Sequence, residues 1–135
     1  MLRVLVPVDG SESSTRAVQT AVQLYERLAK VEVLLLHVEV VDGVPATALG
    51  DGGQRAAVPA DALLRAKSLL DAAGVPHTSE IRRGYVPPVI VQYADAMRCD
   101  AIVMGTRGLG STGDVVGSIA RQVIALSDLP VTLVK

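Results

Sequence analysis

Leu2-Arg3-Val4-Leu5-Val6-Pro7-Val8-Asp9-Gly10 (LRVLVPVDG) is the stretch that sets the fold class. Its branched aliphatics do not alternate with polar residues. That pattern marks a strand over 2–8 buried on both faces, stopped by the turn pair Asp9-Gly10. A strand covered on both sides needs helices above and below its sheet. Ser11-Glu12-Ser13-Ser14 offers N-cap residues for the first of them. Ala17, Ala21, Leu24 and Leu28 follow at helical spacing, with Val18, Val22 and Tyr25 beside them, giving a helix over 13–29.

The same alternation continues along the chain. A second apolar run over 31–38 is a strand, with Glu32 and His37 as its polar interruptions. Over 41–57 the periodicity fails among glycines, which predicts a long mobile loop. Pro59 suits a first helical turn, so the second helix starts there, carries Leu63, Leu64, Leu70 and Ala73, and closes at Gly74. The run over 77–83 is more polar and belongs near a sheet edge. Pro87-Pro88 opens a third helix with Ile90, Tyr93, Ala94 and Met97 along one stripe. A short strand over 101–104 precedes a glycine-rich loop. A fourth helix over 115–126 turns Ile119, Val123 and Leu126 inward, and 130–134 is the last strand. The reading is α/β: a doubly wound, five-stranded parallel sheet of order 3-2-1-4-5 with helices on both faces and right-handed crossovers, forming one domain over 1–135.

That order has a consequence for function. In open parallel sheets ligands bind beyond the carboxyl ends of the strands, where the strand order reverses. Here the reversal lies between strands one and four, so Asp9-Gly10 and Gly105 meet at one crevice. Asp9 also has a simpler use, tightening the turn after strand one.

Composition narrows the field. The 135 residues hold 13 Lys and Arg against 14 Asp and Glu, no Phe or Trp, and three Tyr. Without a basic excess or a stacking platform, nucleic acid is excluded as a partner. The single cysteine, Cys99, rules out a disulfide framework and reads as a small buried hydrophobe. The first ten residues are too short and too interrupted for a signal peptide, and no run reaches membrane length, so a cytoplasmic protein is expected.

Met104 to Ser118, MGTRGLGSTGDVVGS, contains seven residues that are Gly or Ser. Glycines let successive N–H groups point one way and approach an anion closely. The following helix adds free N–H groups and the positive end of its dipole. Two phosphate-loop patterns overlay the stretch and neither fits. A Walker loop needs a lysine where Ser111 stands. A dinucleotide fingerprint belongs after the first strand, whereas Gly108-x-Gly110-x-x-Gly113 follows the fourth. Asp114 would repel phosphate and is better placed to cap the last helix. Arg107 could reach a phosphate or stay solvated. His37 reads as a structural histidine.

Three separated motifs, VLVPVDGSESS, LLLHVEV and MGTRG…GS, together with the ending PVTLVK, resemble the universal stress protein family over nearly the whole chain. The resemblance implies the doubly wound fold, a homodimer through the C-terminal strand, and ATP as ligand with a divalent ion, Mg or Mn, accompanying it. The family's ATP-binding branch carries G-x2-G-x9-G-[ST]. Here Gly105-x2-Gly108 is followed by eight residues, not nine, before Gly117-Ser118. Carried over by position, the Pro7-Val8-Asp9 turn borders adenine and ribose, and Val38 offers main-chain contacts to the base. Met104 packs by the nucleoside, and Gly105 and Gly108 approach the ribose and phosphates with Arg107 between them. Gly117, Ser118 and Ile119 give N–H groups to the phosphates. The implied function is an ATP-binding stress-response or regulatory module. No nucleophile–base constellation or metal cluster stands out, so any ATP hydrolysis is slow. Two alternatives stay open: a dimeric stress protein that binds no nucleotide, and an adenylate-handling enzyme of the same fold.

Overall fold

The computed structural model describes residues 1–25, 27, 30–40, 52–107 and 116–135, with backbone alone over 52–62. The elements alternate strictly: β1 (Leu2–Pro7), α1 (Glu12–Tyr25), β2 (Val31–Glu39), α2 (Gly52–Ala73), β3 (His77–Arg83), α3 (Val86–Ala96), β4 (Ala101–Gly105), α4 (Ser118–Leu126) and β5 (Val131–Val134). All pairings are parallel, and the sheet order is β3-β2-β1-β4-β5. This is the arrangement expected from the sequence.

Alternation along each strand divides the core into two layers. Val4, Val6, Val33, Leu35 and Val103 pack with Ala17, Val18 and Ala21 of α1 and Leu63, Ala66 and Leu70 of α2. Leu5, Leu34, Leu36, Ile102 and Met104 pack on the other face with Ile90, Tyr93 and Ala94 of α3 and Ala120 and Val123 of α4. Val4, Leu5 and Val6 are fully buried, which is why β1 has no polar position beyond Arg3. Burying each such side chain is worth about 1.5–3 kcal/mol against leaving it in water. With no Phe or Trp, the core relies on small helix residues such as Ala17, Ala21, Ala94 and Ala120 beside Tyr93.

Several local expectations are corrected. The first helix ends at Tyr25 in the described residues, and Leu24 is exposed while Tyr25 packs on the core. Leu28 lies outside the described residues. The second helix begins at Gly52, so 52–57 is helical rather than loop and Pro59 is interior to the helix. The helix formers Gln54, Arg55, Ala56 and Ala57 outweigh the glycine signal there. Positions 41–51 lie outside the described residues. Leu64 and Ala73 face solvent. The fourth helix starts at Ser118, and Ala120 and Val123 turn inward while Ile119 and Leu126 are exposed. SIARQVIAL is apolar on more than one face, so its period allowed either choice. The small Ala120 lets α4 sit closer.

Candidate functional site

The two central strands part at one end. β1 and β4 are in hydrogen-bonded register only at Val4↔Ala101 and Leu5↔Ile102, although β1 runs on to Pro7 and β4 to Gly105. Their outer neighbours follow them the whole way, with Pro7↔Leu36 on one side and Gly105↔Val134 on the other. The opposite end is closed by Asp100, whose N–H donates to the Arg3 carbonyl at 2.7 Å and whose carboxylate accepts from the Arg3 N–H at 2.8 Å. The cleft therefore opens at the carboxyl ends of β1 and β4, where the strand order reverses.

Three sequence-distant candidates share one face of the sheet at this end. Met104 and Val38 are buried in the layer beneath α3 and α4. Pro7, two residues beyond Leu5, lies on that same face by strand alternation. Val38 also turns its main chain toward the cleft. Glu39 accepts a hydrogen bond from Gly84 beyond β3 and Leu36 accepts one from Val8, so alternate residues of β2 bond to opposite sides. Val38 falls on the β1 side, past the last rung of that ladder.

Val8 takes a different place. Its side chain is buried in the α1/α2 layer, its N–H donates to Leu36, and its carbonyl accepts from Nδ1 of His37 at 2.8 Å. The carbonyl can only accept, so Nδ1 carries the proton. His37, nine-tenths buried, thus serves to close off the end of β1. Asp9 tightens the following turn, its Oδ1 accepting from the Ser11 N–H at 2.9 Å.

Two helices begin at this mouth, and their ends differ. α1 is capped: the Ser11 hydroxyl accepts from the Ser14 N–H at 3.1 Å, and Glu12 puts a negative charge in the first turn. α4 has neither. Its N-cap is Gly117, no side chain among the described residues caps it, and its first turn holds no acid. The first hydrogen bond into Gly117 comes from Arg121, so the N–H groups of Ser118, Ile119 and Ala120 have no acceptor within the helix. Ser118 and Ile119 are exposed. Such an end carries roughly half a positive charge and favours an anion by about 0.3–2 kcal/mol.

The N–H of Gly117 is not among these free donors, because it donates to the Thr106 carbonyl at 2.6 Å. That bond fixes the start of α4 against the end of β4. A Cβ on Gly117 would lie 3.1 Å from the same carbonyl oxygen. Gly105 is a glycine for another reason. A Cβ there would collide with Ser13 Oγ and meet the Ser13 carbonyl carbon and Cβ at 2.8 Å. The first turn of α1 is therefore packed directly on the β4 backbone. Arg107 donates its N–H to Ser13 Oγ at 3.3 Å, and its carbonyl accepts from the Ser11 hydroxyl at 3.4 Å. Gly108 and Asp114 lie outside the described residues. The structure thus places Pro7, Val38 and Met104 at the carboxyl ends of their strands and Ser118 and Ile119 at the start of α4, while Val8, Gly105 and the Gly117 N–H are engaged in packing and hydrogen bonds of the fold.

Sequence reasoning missed Ser13 and Thr106. Nothing in a serine-rich helix start singles out Ser13. Only the contact with Gly105, far along the chain, does so. Among the described residues no group of three or more His, Cys, Asp and Glu could hold a metal ion. No helix among them is long and apolar enough to cross a membrane.

The universal stress protein family model matches residues 1–135. A universal stress protein of Methanocaldococcus jannaschii is 30% identical over 145 aligned positions, covering 98% of this chain and 81% of that protein. The structure of the universal stress protein UspA from Lactobacillus plantarum superposes with a TM-score of 0.82 at 25% identity, covering 99% of this chain and 97% of that one. The universal stress protein of Archaeoglobus fulgidus, solved in complex with dAMP, gives a TM-score of 0.76 at 25% identity, covering 100% and 98% of the two chains.

Proposed function

This chain belongs to the universal stress protein family, and on that footing we propose that it binds ATP in the cleft between β1 and β4 as a stress-response or regulatory module. The observation that carries the reading is the uncapped N-terminus of α4, held by the Gly117–Thr106 bond at the point where the two strands part. The dAMP complex of the Archaeoglobus relative supports an adenine nucleotide as the class of ligand. The base lies against Pro7, Val38 and Met104, with the main chain of Val38 reading its edge. The phosphates meet the N–H groups of Ser118 and Ile119 and the Ser118 hydroxyl. These residues suit an adenine nucleotide, because they offer both apolar side chains for a base and N–H groups with no acceptor in the helix for phosphate. A divalent ion, Mg or Mn, arrives with the triphosphate. Turnover is slow or absent, and the protein works by occupancy of the site.

The protein acts as a homodimer through β5. The two sheet edges are unlike each other. β3 carries Glu80, Arg82 and Arg83, which discourage pairing with another strand. β5 reads Val-Thr-Leu-Val with no charge. α4, on the face where Val131 and Leu133 pack, leaves Ile119, Ile124 and Leu126 exposed.

Calorimetric titration with ATP and magnesium tests the ligand, and binding is expected. A flat titration at millimolar nucleotide would remove ATP from the reading and leave the nucleotide-free dimer. Gly117→Val, which presses on the Thr106 carbonyl, is expected to abolish binding while the protein stays folded. Sedimentation at micromolar concentration is expected to show a dimer, and a monomer would count against the β5 contact.

A further inference from the structure

Ser13 sits in the first turn of α1, 96% buried, and touches the ends of two strands far from it in sequence, β4 and β5. Its hydroxyl donates to the Val134 carbonyl at 3.2 Å and accepts from the Arg107 N–H at 3.3 Å. Its own backbone and Cβ abut Gly105. The Val134 carbonyl also accepts from the Thr106 N–H at 2.9 Å, and the Thr106 carbonyl accepts from Gly117. The peptide groups of Thr106 and Arg107 are thereby tied on one side to the end of β5 and on the other to the start of α4. A hydroxyl is suited to this junction because it donates and accepts at once. Alanine could fill the space but not make either bond.

We propose that Ser13 is a positioning residue for the phosphate end of the site. It touches no ligand. It fixes the peptides on which the α4 N-terminus hangs, and so fixes where the free N–H groups of Ser118 and Ile119 point. The proposal rests on the nucleotide-binding reading above. It predicts a selective defect: loss of the hydroxyl weakens contacts to phosphate and leaves the contacts of Pro7, Val38 and Met104 to the base unchanged.

The test compares ATP with adenosine as probes, by calorimetry, on the unmodified protein and on Ser13→Ala. The expected result is a fall of about three- to tenfold in ATP affinity, the range for one net hydrogen bond, with adenosine affinity unchanged. An equal loss for both ligands, or no loss, would overturn the proposal. Amide exchange at Arg107 supplies a second readout that needs no ligand. In the unmodified protein this amide should be protected, and exchange at the rate of an unstructured peptide would overturn the proposal even if the variant failed to fold. If the unmodified protein bound neither ATP nor adenosine, the nucleotide reading itself would fail. Faster Arg107 exchange in the variant would then show a hydroxyl that only holds the fold, which also overturns the positioning role.

Discussion

Gly105→Ala separates two reasons for a glycine at the end of β4. One methyl group is added where it collides with Ser13 Oγ and where the Ser13 carbonyl carbon and Cβ stand 2.8 Å away. Ordinary carbon contacts are about 3.5–4.0 Å, so the shortfall is on the order of 1 Å. Rotating the Ser13 hydroxyl away cannot relieve it, because two of the three close atoms belong to the backbone or to Cβ. α1 must therefore lift from β4, and overpacking of this kind costs about 1–3 kcal/mol. The lift also stretches the bonds from Ser13 Oγ to Val134 and Arg107, each worth about 0.5–1.5 kcal/mol net. Together they amount to about 2–6 kcal/mol, a large share of the ~5–15 kcal/mol that holds a domain folded. At about 3–5 °C per kcal/mol for a chain of this size, the melting midpoint should fall by about 6–30 °C without any ligand. Thermal and urea unfolding of the ligand-free protein measure this directly. A midpoint within about 2 °C of the parent, coupled with lost ATP binding, would refute the packing argument. Gly105 would then be a glycine for the sake of the nucleotide.

Two further predictions concern stability. Ser11→Ala removes the cap on α1, where the hydroxyl accepts from Ser14, and should cost about 1 kcal/mol in urea unfolding; a change below about 0.3 kcal/mol would mean that the Asp9 turn alone holds the helix start. At alkaline pH the fold should weaken. Burial pushes the Cys99 thiol up to about 11, and burial followed by a hydrogen bond to Glu80 pushes Tyr93 up to about 12. Both folded pKa values lie above the unfolded ones, so the neutral groups stabilise the fold fully below pH ~9, and that support is lost as the pH rises toward ~12. Cys99→Ala should flatten the part of the decline between pH ~9 and ~11, and an unchanged profile would show that the thiol is not the titrating group.

The stretch Leu2 to Gly10 and the repeated alternation after it determined the fold class, the strand order and the position of the cleft. They could do so because dense aliphatic runs have one economical solution, a parallel sheet covered on both faces. Periodicity was weakest where a helix is apolar all round, which is why Ile119 and Leu126 in α4 were assigned inward and lie outside. A glycine or serine in a sequence carries no record of its neighbour across the fold. Whether Gly105 faces a ligand or the backbone of Ser13, and whether the N–H of Gly117 is free or bound to Thr106, is decided by how closely α1 and α4 settle on β4. The approach of α1 depends on contacts between residues roughly ninety positions apart, as from Ser13 to Arg107, and contacts at that separation exist only once the sheet has closed.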